Sequence, residues 1–133
     1  MSDEADSTSA PSFPLQEYLG MELSSTEVGA GTATLHLDDQ HANPNGVAHG
    51  AVFFALVDTA MGKATMSVID DNLYCASVEL SLRFIRPASE GELIAEATVV
   101  KRGRSIVHLE ARVHDGDHRL VATSSGTFAI LGG

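Results

Sequence analysis

Gly50-Ala51-Val52-Phe53-Phe54-Ala55-Leu56-Val57-Asp58-Thr59-Ala60-Met61-Gly62 is the stretch that decides the fold. It is too long for an ordinary buried strand and apolar on nearly every side. A helix with no polar face is normally buried rather than surface-lying. The spacing predicts that it runs from about Gly50 to Ser67, where Asp70-Asp71-Asn72 breaks it. Asp58 is the one charged side chain between Gly50 and Gly62. A lone carboxylate on a buried helix costs desolvation energy unless something pairs it or uses it. Just upstream, Asn43-Pro44-Asn45-Gly46-Val47-Ala48-His49-Gly50 is turn-rich and delivers a histidine and a glycine to the helix start. Carboxylate, helix start and polar loop together have the makings of a catalytic site.

Outward from the helix the period changes from helical to two-residue. Upstream, Ala33, Leu35 and Leu37 alternate with Thr32, Thr34 and His36, the pattern of a half-buried strand. Before it, Phe13 to Leu19 reads as a short helix, with Pro14 in its first turn and Gly20 at its end. Downstream, Val78, Leu80, Leu82 and Phe84 alternate with Ser77, Glu79, Ser81 and Arg83. Pro87 to Gly91 reads as a turn, and Leu93, Ala95, Ala97 and Val99 line one face of the next strand. Gly103 turns the chain again, and Val107, Leu109, Ala111 and Val113 continue the pattern. Asp115-Gly116 is a strong hairpin signal ahead of a last strand from about Leu120 to Ile130. The order is strand, long helix, then four strands. Consecutive hairpins imply an antiparallel sheet, and the single apolar helix must pack on one of its faces. The fold class is α+β, a buried helix wrapped by a curved antiparallel sheet, which is the hotdog architecture.

Composition bounds the rest. A chain of 133 residues with 44% hydrophobic content fits one globular domain, taken as residues 13–133. Residues 1–12, acidic and small-polar, read as a disordered tail rather than a signal peptide. No apolar run is long enough to span a membrane. Cys75 is the only cysteine and has no partner for an internal disulfide, so the cytoplasm is the expected compartment. A formal net charge of −10 argues against nucleic acid and anionic membranes as partners, since both need a basic footprint. Five of the eight basic residues, Arg83, Arg86, Lys101, Arg102 and Arg104, nevertheless fall within one short span of sequence. They form either a local site for a small polyanion or a set of solvated strand ends. With only Lys63 and Lys101 as lysines against eighteen acidic residues, the surface also resembles that of a salt-adapted protein.

Asn43, His49-Gly50-Ala51 and Asp58, followed by Ser77-Val78-Glu79 and Arg86-Pro87-Ala88, resemble the hotdog-fold acyl-CoA thioesterases of the phenylacetate-degradation type. The resemblance covers about residues 13–131. It departs at Ala51, where the family usually has a second glycine. It implies hydrolysis of an acyl-CoA thioester to free acid and coenzyme A, with no metal and no organic cofactor. Thioester hydrolysis builds negative charge on the carbonyl oxygen, and the unpaired N–H groups at the start of a helix stabilise such charge. The resemblance gives this oxyanion role to Gly50, with the Asn43 side chain helping to place the thioester. It makes Asp58 the general base that activates water, or a nucleophile forming an anhydride. Burial should raise the Asp58 pKa, and the alternative is a structural Asp paired with Thr59 or Ser77. Ser77 matches the position whose hydroxyl helps hold the attacking water, or is an ordinary strand serine. His49 holds Asn43 and the helix start, or touches the thioester. Lys101, Arg102 and Arg104, with Arg83 or Arg86, are candidates for the coenzyme A phosphates.

Gly50 and Asp58 are eight residues apart, about 12 Å along a helix axis. One carbonyl cannot reach both, so if both act on one thioester they come from different chains. This predicts a homodimer with helices side by side and two shared sites, in agreement with the family, whose dimers often pair into tetramers. Two other readings compete. A hotdog dehydratase acting on hydroxyacyl thioesters would need a histidine paired with a carboxylate, and the position before the helix is Asn43. A non-catalytic acyl-CoA-binding module would bind the thioester and release no thiol. His114 and His118, flanking Asp115-Gly116, lack an evident second pair of metal ligands, and Cys75 lacks a nucleophile motif.

Overall fold

Proline in the first turn and glycine just past the last frame helix α1, Pro14–Leu19. Gly20 takes the left-handed conformation at φ 78° and closes the helix by donating to the Gln16 carbonyl at 2.9 Å. The computed structural model describes residues 11–133. Of the acidic stretch read as a tail, all but Pro11 and Ser12 lies outside the described residues. Strands β1 (Glu22–Ser24) and β2 (Ala30–His36) follow, then a single 3₁₀ turn at Asp39–His41. Helix α2 spans Gly50–Met66, with His49 as its N-cap and Ser67 as its C-cap. The remaining strands are β3 (Leu73–Phe84), β4 (Glu92–Arg102), β5 (Ile106–Asp115) and β6 (Leu120–Gly132).

The six strands form one antiparallel sheet in the order β1-β2-β4-β5-β6-β3. With α2 packed across it, this is the hotdog arrangement. Strands β4, β5 and β6 are joined as hairpins, as expected. Strand β3 departs from the consecutive-hairpin expectation, because it pairs with β6 and lies at the sheet edge. Its connection to β4 is no tight turn. Ile85 and Arg86 donate to the Val121 carbonyl, Ala88 accepts from Ala48, and Pro87 between them has no N–H to continue a ladder. Strand β1, only three residues long, was too short to show a period.

The core lies between α2 and the sheet. Val52, Phe53, Leu56, Val57, Ala60, Met61 and Ala64 are buried against Ala33, Leu35, Leu93, Ala95, Leu109 and Phe128. Gly31 sets how close α2 comes to β2. A Cβ at Gly31 would lie 2.7 Å from the Ala64 nitrogen and 2.9 Å from the Lys63 Cβ, and closer still to the Ala60 carbonyl. The alternations on β4 and β5 put their apolar residues inward, with Val107, Leu109, Ala111 and Val113 all buried.

Two features differ from the sequence expectation. First, α2 is covered on one side only. Ala51, Phe54, Ala55, Asp58, Thr59, Gly62 and Met66 face an open side, with Phe54 40% and Met66 43% exposed. Second, β3 does not alternate uniformly. Ser77 pairs with Phe128 and Glu79 with Thr127, so Val78 is an extra residue that forms a β-bulge. The bulge moves Ser77 from the Glu79–Arg83 set to the helix side, with Leu80 and Leu82. Val78 itself is 61% exposed. Among the described residues no helix is long and apolar enough to cross a membrane.

Candidate active site

The start of α2 is assembled from the preceding loop. The Asn43 side-chain Oδ1 accepts from the N–H groups of Asn45 (2.8 Å) and Val47 (3.2 Å), and its own N–H donates to the Val47 carbonyl. A bridge between Ala42 and Ala48 closes this small loop. Asn43 thus spends its carbonyl oxygen on the loop, and only its Nδ2 is left to meet a ligand. Buried His41 braces the loop from below. Its Nδ1 accepts from the Asp38 N–H at 2.9 Å, which makes Nε2 the protonated nitrogen, and Nε2 donates to the Leu19 carbonyl at 2.8 Å. The His41 carbonyl accepts from the His49 N–H at 2.8 Å. His49 is exposed, and its Nδ1 accepts from the Ala51 N–H at 2.9 Å. It holds the helix start, as one sequence reading had it, but makes no bond to Asn43.

This capping leaves one donor free. The Ala51 N–H goes to the His49 ring and the Val52 N–H to the His49 carbonyl. The Gly50 N–H has no acceptor among the described residues, at the end of the helix where partial positive charge collects. Phe84 stands beside it. A Cβ on Gly50 would sit 3.5 Å from the Phe84 ring, which also meets Phe53 edge-on at a centroid distance of 5.4 Å. Phe84, Ala48, Phe53 and Arg86 line an apolar cleft of about 320 Å³ at Gly50.

Asp58 lies at the middle of α2 on its open side. Thr59, one of its suggested partners, is spent, since its Oγ1 donates to the Ala55 carbonyl at 2.7 Å. Ser77 is the other, and the bulge at Val78 brings it to the cleft of about 400 Å³ that Asp58 shares with Phe54, Ala55 and Leu80. Burial pushes the Asp58 carboxyl above the usual carboxylate range, and the Ser77 hydroxyl pulls it back in part. Oδ1 itself is buried with no hydrogen-bond partner. A buried carboxylate oxygen without a donor costs free energy, which makes Asp58 a candidate for a functional group. Burial, and then the Asp58 charge, raise the Cys75 thiol. A thiol held protonated is a poor nucleophile, which disfavours the cysteine reading.

The basic residues that cluster in sequence separate in space. Arg83 faces the outer side of the sheet with Arg112 and Thr123, because its neighbours Leu82 and Phe84 face the helix. Arg86 is at the Gly50 end of α2. Lys101, Arg102 and Arg104 belong to the β4–β5 hairpin at the other end. Arg102 Nε donates to the Val68 carbonyl at 3.3 Å, just past the helix C-terminus, and its Nη1 donates to the Gly103 carbonyl at 2.8 Å. The β5–β6 turn is built differently from the Asp115-Gly116 signal. The Asp115 carboxylate accepts from the Asp117 and Arg119 N–H groups and from Arg119 Nε, and His118 rather than Gly116 takes the positive φ, at 64°. Among the described residues no group of three His, Cys, Asp or Glu side chains gathers to hold a metal ion, at His114 and His118 or elsewhere.

The structure therefore brings together Asn43, His49 and Gly50 at one end of α2, and Asp58 with Ser77 at its middle. Phe84 and His41 were not among the sequence candidates. Phe84 read only as the last apolar residue of a strand, and His41 sits in a polar loop with no period to mark it as buried.

Known proteins share this fold. The family model described as the thioesterase superfamily matches residues 45–122. A conserved protein of Pseudomonas aeruginosa superimposes with a TM-score of 0.85 at 33% identity, covering 90% of this chain and 94% of that one. The PaaI protein from the phenylacetic acid degradation operon of E. coli superimposes at 0.82 with 25% identity, covering 90% and 85%. A 1,4-dihydroxy-2-naphthoyl-CoA hydrolase of Listeria monocytogenes is 25% identical over 116 residues, 87% of this chain and 94% of that protein.

Proposed function

The chain belongs to the thioesterase superfamily and is a thioester hydrolase, and we propose that it hydrolyses acyl-CoA at two sites shared between the subunits of a homodimer. The observation that carries this reading is a pair of unsatisfied groups. The Gly50 N–H and the Asp58 Oδ1 both lack partners, and both belong to the one helix whose second side is open. They are about 12 Å apart along the axis, too far for one thioester. An antiparallel second copy of α2, with the two-fold axis near Phe54, sets Gly50 opposite the partner's Asp58. The same axis pairs the free edges of two β3 strands about Leu80 and Ser81. It thereby sets Phe84, beside Gly50, opposite the partner's Ser77. An unpaired twelve-residue strand edge and an open apolar helix side are both costly to leave in water, and one partner covers both.

In this site the thioester carbonyl oxygen lies against the Gly50 N–H. Ser77 and Asp58 hold a water on the other side of the carbonyl carbon. Asp58 takes a proton from the water as its oxygen bonds to that carbon. The Gly50 N–H carries the charge that develops on the carbonyl oxygen. The C–S bond then breaks, and the coenzyme thiolate leaves and takes up the proton. In the anhydride route Asp58 itself attacks, and water cleaves the acyl-Asp58 bond afterwards. Asn43 Oδ1 and His49 keep the loop and helix start in register, which leaves Asn43 Nδ2 to meet the thioester. The hydroxyacyl dehydratase alternative asks for a histidine paired with the carboxylate; no histidine of the same chain lines the Asp58 cleft, and the partner's His49 spends its Nδ1 on its own helix start. The resemblance to the phenylacetate-degradation type, and the aromatic thioester in the name of the Listeria relative, support trying aryl-CoA substrates first.

The test is thiol release, followed with a thiol-reactive dye, from panels of aryl- and fatty-acyl-CoA by the wild type and by Asp58→Asn. Binding without release would favour an acyl-CoA-binding module. Undiminished turnover by Asp58→Asn would remove Asp58 from the chemistry.

A further inference from the structure

We propose that His41 is a positioning residue for the oxyanion donor. It ties the loop that presents Gly50 to the frame of the fold, and turnover depends on its bond to the Leu19 carbonyl. The inference rests on the reading of the Gly50 N–H as oxyanion donor and extends it to a residue that touches no substrate. Among the described residues three polar or charged side chains are buried, His41, Thr65 and Asp115. Two of them serve their own turns. Thr65 donates to the Met61 carbonyl one helical turn back, and Asp115 accepts from Asp117 and Arg119 within the β5–β6 turn. His41 instead joins segments that are distant in sequence. Its Nε2 reaches back 22 residues to Leu19, the last residue of α1. A buried imidazole costs desolvation energy unless its nitrogens are bonded, and here both are.

From the imidazole the connection runs through the backbone to the helix start. The His41 carbonyl accepts from the His49 N–H, and the His49 carbonyl accepts from the Val52 N–H at 2.9 Å. The His49 carbonyl and the Gly50 N–H belong to one planar peptide group, so the bond to Val52 sets the direction of that N–H. The His49 ring holds the next N–H along, that of Ala51. These bonds fix how the Gly50 N–H is turned. Where it stands depends on what holds the loop. Asn43 Oδ1 and the Ala42–Ala48 bridge bind the loop to itself. A loop closed in this way keeps its shape but not its place. Its place is set on one side by Ala88, whose carbonyl accepts from the Ala48 N–H at 2.8 Å, and on the other by His41. An oxyanion donor must lie within about 3 Å of the developing charge, and a misplacement of about 1 Å costs up to about 10² in rate.

Two variants break the link and a third keeps it. His41→Asn leaves an acceptor for the Asp38 N–H, where Nδ1 stood, but is too short to reach Leu19. His41→Met fills the space with no polar end. His41→Gln reaches the Leu19 carbonyl with its amide N–H. Thiol release from acyl-CoA is measured for each, alone and combined with Gly50→Pro, beside a thermal melt that shows the chain is folded. His41→Asn and His41→Met should lower kcat about tenfold with KM moved less than about twofold, and His41→Gln should lose less than about threefold. In the Gly50→Pro background no N–H is left to misplace, so His41→Asn and His41→Met should cost less than about twofold further. Equal losses in both backgrounds, an unchanged kcat in folded His41→Asn and His41→Met, or a His41→Gln as slow as those two overturns the proposal. So does failure of both breaking variants to fold, which would make His41 structural alone. The oxyanion reading is judged separately, from Gly50→Pro against Gly50→Ala with His41 intact. If those two turn over alike, this proposal falls with that reading.

Discussion

Replacing Gly50 by proline removes one hydrogen from the site and very little else. Gly50 is the first residue of α2. An N–H at that position takes no part in the helical ladder, and proline is tolerated there because its ring already sets the helical φ. His49, which would precede the proline, has φ −66° and ψ 142°, the extended conformation that a residue before proline prefers. The added Cβ meets the Phe84 ring at 3.5 Å, an ordinary contact. The helix cap also survives, since the His49 ring accepts from Ala51 and not from Gly50. The fold should therefore lose at most about 1 kcal/mol, the typical cost of a point substitution. The chemistry should lose much more. Removing one oxyanion donor costs about 10²–10³ in kcat, or about 3–4 kcal/mol. The assay is thiol release under saturating acyl-CoA, beside a thermal melt by circular dichroism. Gly50→Ala is the companion variant, because it adds the same Cβ but keeps the N–H, and it should lose far less than the proline variant. If Gly50→Pro folds normally and turns over like Gly50→Ala, the N–H does not carry the oxyanion, and the assignment of the helix start fails.

Three further outcomes follow from named contacts. Burial raises the Asp58 pKa, so the folded state binds a proton more tightly than the unfolded chain does. Stability from this group is complete below the ordinary carboxylate value and is lost as pH rises through the raised folded one. Asp58→Asn should accordingly raise the midpoint of thermal unfolding at pH 7 while lowering turnover, and a drop in the midpoint would contradict the buried charge. The same shift should place the acidic limb of the kcat–pH profile above the usual carboxylate range, and a limb at the ordinary value would remove Asp58 as the base. Gly31→Ala would drive a methyl group into the α2 backbone at Ala60 and Ala64, and should cost about 3 kcal/mol in urea unfolding. A cost near zero would show that α2 is free to move off β2.

The sequence was most legible where the signal is local or where burial is one-sided. The run from Gly50 carries a helical signature that nothing else in the chain shares. Strands β4 and β5 lie inside the sheet, each with one face on the core, so Leu93 to Val99 and Val107 to Val113 alternate cleanly. Asn43, His49, Gly50 and Asp58 could be singled out together because they belong to one loop and one helix. What could not be read depends on register between distant segments. Nothing near Ser77 announces that Val78 is an extra residue, since the bulge is defined only against Phe128 and Thr127 of β6. The partner of β3 was misjudged because proximity in sequence favours a hairpin, whereas Pro87 and the bonds to Val121 carry the chain away. The five basic residues looked like one patch because strand alternation and the length of α2 act only in three dimensions. The Asp115 turn was recognised, but its internal form was not, because the Asp115 carboxylate competes with Gly116 in deciding where the positive φ falls.

The bulge at Val78 makes β3 a strand with two reading frames. Before it, odd-numbered residues such as Cys75 and Ser77 look toward α2; after it, even-numbered ones such as Leu80, Leu82 and Phe84 do. Deleting Val78 would join Ser77 directly to Glu79 and restore plain alternation, so Ser77, Leu80 and Leu82 would keep their faces and only the local kink and added twist would be lost. Deleting a residue beyond the bulge, such as Ser81, would instead turn part of the strand over. Either Leu82 gives way to Arg83 on the core side, or Leu80 gives way to Glu79. Placement of the hydroxyl and packing of the core are thus tied to the count of residues as much as to their identity, and a length change here carries a penalty that no substitution matrix would assign to it.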